Sequence, residues 1–329
     1  MKVCLFGELS KVLVGSGIGS AIDHQEEALR LNGVEVTRDH NDKFDVIDIN
    51  TIGLRSAYVA QKMKWDGIPV VMHTHTTAED FKDSFRLTTR LAPRLKTYLR
   101  FFYDQADMLI SPTEYTKNVI RSYGLRRETH VVSNGVNIER FKPDRKARES
   151  YRTRYKFEGI VPYSVGHVFK RKGILDFMEL ARMFPQNRFL WVGRDYGNFV
   201  DREIKTAVKN KPANVMITGF VKEIVAAYNA GDIFVFPSYC ENQGIAILEA
   251  AACGKPIIVR DIPTYDGWLK HGVNCLKAKD LMEFQRHLRA LMCDEKRCEE
   301  LAENAHIMSQ EHNLKIVGAQ LKRAYESLM

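Results

Sequence analysis

Short apolar runs alternate along the chain with stretches whose apolar residues recur at helical spacing. Runs at 2–7, 44–49, 68–73, 107–110 and 129–132 read as strands, and the second half repeats the pattern at 159–165, 188–192, 214–218, 233–236 and 256–259. Ile233-Phe-Val-Phe236 is an unbroken series of β-formers closed by Pro237-Ser238, as expected of a strand buried on both faces. Between the strands the spacing predicts helices over 18–31, 54–65, 174–184, 244–252 and 281–292, one ending at Ala230, and more across 294–328. Ser111-Pro112-Thr113-Glu114 has capping-box spacing with proline at the first helical position, so a helix is expected to start there. Strand and helix in turn, with short connections, imply right-handed crossovers and parallel sheets.

The alternation breaks once. Asn134-Gly135 and Pro143, followed by a charged run over 144–156, read as a turn and linker. A chain of 329 residues holds two domains of ordinary size. The expected division is a first domain over 1–145, a second over 146–305, and a terminal helix over 306–329 crossing back to the first.

Composition narrows the class. With 45% hydrophobic and 27% charged residues the chain reads as soluble and globular, and no apolar run nears the ~20 residues of a membrane span. The stretch 1–7 reads as a strand and not a signal peptide. Six scattered cysteines without Cys-x-x-Cys suggest reduced thiols in a cytoplasmic protein. A net charge of +8 brings anionic partners into view: nucleic acid, an anionic membrane, or phosphorylated small molecules. Over 81–103, Lys82, Arg86, Arg90 and Arg94 recur every four positions, joined by Lys96 and Arg100, with Asp83 the only acid and Pro93 interrupting. Two readings stay open for it, a helix lying on an anionic bilayer and a domain helix with a solvated basic face.

Candidate chemistry gathers where strands end. Glu241 precedes the 244–252 helix and Glu249 lies within it among apolar neighbours, where a lone charge is costly to bury. Both can face one crevice at the C-terminal edge of a parallel sheet, where ligands bind. His73 and His75 close another strand; they share a face, but no third metal ligand is evident, and a histidine there suits donation to a substrate oxygen. Lys170-Arg171-Lys172 opens a helix and reads equally as an anion cradle or an exposed basic turn. Gly15-Ser-Gly17-Ile-Gly19-Ser20 is Gly-x-Gly-x-Gly set eight residues past its strand, so the dinucleotide fingerprint of a nicotinamide oxidoreductase is not met. A ligand loop and a plain connection both remain open for it.

Taken in order, Ser133-Asn134-Gly135-Val136, Phe141-Lys-Pro143, Lys172-Gly173, Gly219-Phe220-Val221, His75 and the Glu241/Glu249 pair around Gly244-Ile245 resemble family 4 of the retaining glycosyltransferases. That resemblance implies an α/β protein of the GT-B fold, two Rossmann-like parallel-sheet domains facing a cleft. It implies catalytic roles for Glu241 and His75 on the donor sugar and for Lys172 and Arg171 on the departing diphosphate. Glu249 would hold the ribose, Gly244 and Ile245 amides the sugar and phosphate, and backbone near Phe220 the base. Asn242, Gln243, Gly17 and His167 join the substrate-binding group, His167 standing where the family often has arginine. No Asp-x-Asp occurs, so no divalent metal or other cofactor is expected. The segments 260–269, 240–244 and 73–81 resemble the diacylglycerol 3-glucosyltransferase branch. The implied function is transfer of a hexose, glucose from UDP-glucose, to a membrane glycerolipid by a cytoplasmic enzyme peripheral on the inner face of the membrane. The alternative is a soluble glycosyltransferase with a sugar or small-molecule acceptor. A nucleic-acid binder would explain the charge but neither Glu249 nor the cleft motifs, so nucleic acid is not an expected partner.

Overall fold

The computed structural model describes residues 1–8, 16–82, 84 and 88–329. Gly15 and, within the basic stretch, Asp83, Phe85, Arg86 and Leu87 lie outside the described residues.

The first half contains β1 (Lys2–Phe6), α1 (Gly17–Leu31), β2 (Glu35–Thr37), β3 (Val46–Ile49), α2 (Leu54–Trp65), β4 (Val70–His73), α3 (Ala78–Phe81), α4 (Thr88–Tyr103), β5 (Met108–Ser111), α5 (Glu114–Ser122) and β6 (Thr129–Val131). Its strands form one parallel sheet in the order β2-β1-β3-β4-β5-β6. After α6 (Arg145–Tyr155) come β7 (Pro162–Val165), α7 (Ile174–Met183), β8 (Phe189–Val192), α8 (Arg202–Lys209), β9 (Val215–Ile217), α9 (Ile224–Ala230), β10 (Ile233–Phe236), α10 (Ile245–Ala252), β11 (Ile257–Arg260) and β12 (Leu276–Ala278). These strands are also all parallel, in the order β12-β11-β10-β7-β8-β9. That is the doubly wound order, whose ligand crevice opens where the winding reverses, here between β7 and β10. The chain ends with α11 (Leu281–Cys293), α12 (Glu295–Glu311) and α13 (Leu314–Glu326). None of the described helices is long and apolar enough to cross a membrane.

The central strands are buried along their whole length because helices cover both faces of each sheet. The terminal helix α13 packs on α1. A Cβ at Gly318 would meet Ala28 O at 2.0 Å, and Asn32 Nδ2 donates to Lys315 O at 3.0 Å. Before α13, Val136 N donates to His312 O at 2.9 Å, so the two chain crossings between the sheets touch.

Four local expectations change. The charged run over 144–156 is not a linker but helix α6, capped by Asp144, whose side chain accepts from Ala147 N. Buried Tyr151 anchors it, and Arg148 and Arg152 both pair with Asp232, at 2.5 and 3.0 Å. The cap of α5 is Thr113, not Ser111, because Ser111 stays in β5 paired with Val131 while Thr113 accepts from Thr116 N. Gly17 and Gly19 do not belong to a loop. They form the first turn of α1, with Ser16 as its cap accepting from Gly19 N. Finally, α4 runs through Pro93 without stopping, Pro93 itself being exposed. The short edge strand β2 carried too little apolar signal to be read.

Candidate active site

The crevice of the second sheet is lined by the loops that follow β7 and β10. Residues 170–172 form a single tight turn, and Gly173 then takes a left-handed conformation, φ +75°. Any Cβ there would sit 2.2 Å from Pro237 O, so only glycine lets the two loops come this close. The loops are joined by Tyr239 N donating to Arg171 O at 2.7 Å. The result is that Lys172 Nζ lies 2.5 Å from Glu241 Oε1, which also accepts from Ser238 Oγ at 2.6 Å. Burial alone would raise the Glu241 carboxyl. The charges of Lys172 and Arg171 outweigh burial and hold it below its ordinary value.

Arg171 turns the other way, toward the first domain. It pairs with Asp80 at 2.8 Å, donates to Ser84 Oγ at 2.6 Å and to Cys240 O at 3.2 Å. Asn242 and Gln243 also reach across. Asn242 Nδ2 donates to His75 O at 2.7 Å, and its own oxygens accept from Thr77, Thr113 and Thr116 hydroxyls. Gln243 accepts from Asn134 N at 2.8 Å and donates to Ser133 Oγ at 2.7 Å. The 75–80 loop of the first domain is thus clamped at two points, Arg171 and Asn242, against the loops that carry Lys172 and Glu241.

His75 enters this seam from the end of β4. Its Nε2 donates to Asn50 Oδ1 at 2.9 Å, and burial, with His73 beside it, pushes its pKa well down, so the ring is neutral. His73 is held separately by Asp48, 2.9 Å away, a carboxylate that also accepts from Tyr325 of α13. The sequence signal for Asn50, a polar residue directly after a buried strand, was present and went unread. Asp80 was visible only as part of the 73–81 motif.

Glu249 lies apart. It shares no hydrogen-bond partner with Glu241; its carboxyl accepts from Tyr228 OH at 2.5 Å, and burial pushes its pKa up to about 7. Gly244, φ +91°, leads into α10, so Gly244 and Ile245 stand at that helix's N-terminus. His167 sits against Phe169 and Tyr196, its pKa pushed down to about 4 by burial and then by Lys172, Arg171 and Arg194. Phe220 is half-exposed, with the Arg194 guanidinium 5.7 Å from its ring centre. Gly17 starts α1 on the strand-end side of the first sheet. Lys170 is exposed and pairs with Glu203 at 2.7 Å, so the three consecutive cations part into three directions.

Two doubly wound domains meeting through their strand-end loops, with half-buried cations at the seam, make the GT-B architecture of nucleotide-sugar transferases. Residues 148–308 match the family model for glycosyl transferases group 1, and residues 28–140 match that for glycosyltransferase family 4. The processive diacylglycerol alpha-glucosyltransferase of Acholeplasma laidlawii is 33% identical, over 100% of this chain and 99% of that one. The alpha-galactosylglucosyldiacylglycerol synthase of Streptococcus pneumoniae is 29% identical over 74% of this chain and 68% of its own. Anabaena HepE, crystallised with UDP and glucose, shares the fold with a TM-score of 0.82 over 99% of this chain and 100% of its own, at 19% identity. The chain belongs to glycosyltransferase family 4.

Proposed function

We propose that this protein is a retaining hexosyltransferase that moves glucose from UDP-glucose to a membrane glycerolipid of the diacylglycerol type, working as a peripheral enzyme on the anionic inner face of the cell membrane. The observation that carries the chemistry is the Lys172–Glu241 contact at the winding reversal of the second sheet. The lipid acceptor is supported by the relatives, four of which are named for diacylglycerol glucosyl transfer or for glycosyl-diacylglycerol synthesis.

Breaking an anomeric C–O bond to a diphosphate puts negative charge on the leaving oxygens and positive character on the sugar. Preorganised cations aimed at the first are the largest source of acceleration in such a site. Lys172 stands ready for that role, with Arg171 behind it, and both are held by carboxylates, Glu241 and Asp80, whose places the diphosphate takes when the donor binds. Lysine, arginine and the N-terminus of α10 then supply the positive charge that other enzymes draw from a divalent metal. Glu241, freed from Lys172, accepts from donor-sugar hydroxyls, with Asn242, Gln243 and Gly17 around the donor. Neutral His75, its Nε2–H held by Asn50, offers Nδ1 as an acceptor to a sugar hydroxyl. Glu249 takes the ribose, backbone at Phe220 the base, and His167 flanks the phosphates. The acceptor hydroxyl attacks from the leaving group's face and its proton passes to the departing phosphate, which retains the α configuration.

The test is UDP release from UDP-glucose in the presence of diacylglycerol-containing vesicles, with the lipid product identified by mass spectrometry. A glucosyl-diacylglycerol product is expected, with turnover lowered about 100-fold in Lys172→Ala. Turnover confined to soluble sugars, or an unchanged rate in Lys172→Ala, would overturn the reading.

A further inference from the structure

Helix α2 has two apolar faces. Its inner side buries Ser56, Val59, Ala60 and Met63. At about 100° per residue, Leu54, Tyr58 and Trp65 fall together on the opposite side, within an arc of roughly 40°. They are 83%, 67% and 86% exposed. A surface helix of a soluble domain needs only the inner stripe. Helix α4 is tied to both ends of α2, Tyr98 OH donating to Ile52 O at 2.6 Å and Lys64 Nζ to Gln105 O at 2.9 Å, and it adds an exposed ring of its own, Phe101, 68% exposed.

Charge says what covers this face. Neither α2 nor α4 contains an aspartate or glutamate, while Arg55, Lys62, Arg94, Lys96 and Arg100 are exposed on them. Amphipathic Trp and Tyr rings beside cations that pair with no carboxylate among the described residues suit the boundary between anionic headgroups and acyl chains. We propose that the α2–α4 face is the docking surface for an anionic phospholipid bilayer, with the Leu54–Tyr58–Trp65 stripe inserted at headgroup depth. The assignment rests on the lipid-acceptor reading and deepens it. Leu54 opens α2 after the short 50–53 loop at the C-terminal end of β3, and α3 joins the His75 loop to the segment before α4. A bilayer against this face therefore lies beside the first-domain wall of the cleft, and a glycerolipid leaves it toward His75. The footprint differs from the 81–103 stretch, since its apolar contacts come mainly from α2.

The experiment compares the full chain with Leu54→Ser/Tyr58→Ser/Trp65→Ser in flotation with vesicles of phosphatidylglycerol and phosphatidylcholine, and with vesicles of phosphatidylcholine alone. Circular dichroism checks the fold. The wild type is expected to float with the anionic vesicles only, the triple variant to bind them at least tenfold more weakly, and Arg55→Glu/Lys62→Glu to lose binding similarly. Both variants should release UDP at the wild-type rate with a dispersed short-chain diacylglycerol. On anionic vesicles the fluorescence of the wild type should shift to the blue, and in Trp65→Phe that shift should vanish. Wild-type flotation by the folded triple variant, or a blue shift that survives in Trp65→Phe, overturns the proposal. So does retention by RNA without retention by vesicles. The two readings fail separately. Glycolipid product without stripe-dependent flotation overturns the docking face and leaves the acceptor standing; stripe-dependent flotation without glycolipid product supports the face and overturns the acceptor.

Discussion

Glu241 and Glu249 stand eight residues apart on one loop and helix, both buried, and their surroundings drive them in opposite directions. Around Glu241 the chain brings Lys172 at 2.5 Å, the Ser238 hydroxyl at 2.6 Å, and Arg171 close behind. Around Glu249 it brings one tyrosine hydroxyl and apolar α10 neighbours. The first carboxyl is kept ionised by its cations; the second is close to half-protonated at neutral pH, with a pKa of about 7. Burial is common to both, so the counter-charge decides. A carboxylate paired with the cation that must later face a diphosphate is suited to exchanging partners. One with no paired cation, only the charge of Arg140 acting on it, is suited to accepting hydroxyl donors from a neutral ribose.

The sharpest way to break this contrast is Glu241→Gln. It should lower kcat by about 100-fold or more. It should also tighten UDP binding, because Lys172 loses the carboxylate that competes with phosphate for it. Steady-state kinetics and calorimetry with UDP read both effects, and weaker UDP binding would remove the exchange argument.

Glu249→Gln comes next. A carboxyl whose folded pKa is raised contributes its full stability below the ordinary value of 4.5 and loses it as pH climbs through about 7. Between pH 4.5 and 8 the wild type should therefore lose about 3 kcal/mol relative to Glu249→Gln, read from urea unfolding at a series of pH values. A gap independent of pH would contradict the buried setting without a paired cation. The smallest effect is expected for Tyr228→Phe. Removing the hydroxyl should cost about 1 kcal/mol, measured by the same unfolding, and move the Glu249 titration further upward.

Much of the architecture was legible because it rests on local rules. The apolar runs of β3, β4 and β10 and the period of α2 follow from which side chains a two-sided parallel sheet and its covering helices must bury. Helix α6 escaped because its sequence is almost wholly charged, and only the docking of Tyr151 and the shared Asp232 make it a packed element. Within the site, Lys172 and Glu241 were both recognisable, but as separate features nearly seventy positions apart. Their contact depends on how closely Gly173 lets one loop approach Pro237 of the other. Nothing near Arg171 in the sequence announces its pairing with Asp80. Its neighbours in sequence carry no sign of which way a turn residue will point.

The sequence alone determined two parallel-sheet halves, a turn of three consecutive cations, two glutamates flanking a helix start, and the family to which these belong. All of these are encoded in short windows, where periodicity, glycine and charge act locally. Only the tertiary structure decided how the cations were shared: Lys172 to Glu241, Arg171 across the seam to Asp80, Lys170 out to Glu203. It likewise set the pKa of Glu249 and left a second apolar stripe on α2 uncovered. Ion pairing, desolvation and exposure are properties of groups distant in the chain and adjacent in space, so they exist only once each domain has folded and, for Arg171 with Asp80, once the two domains have met.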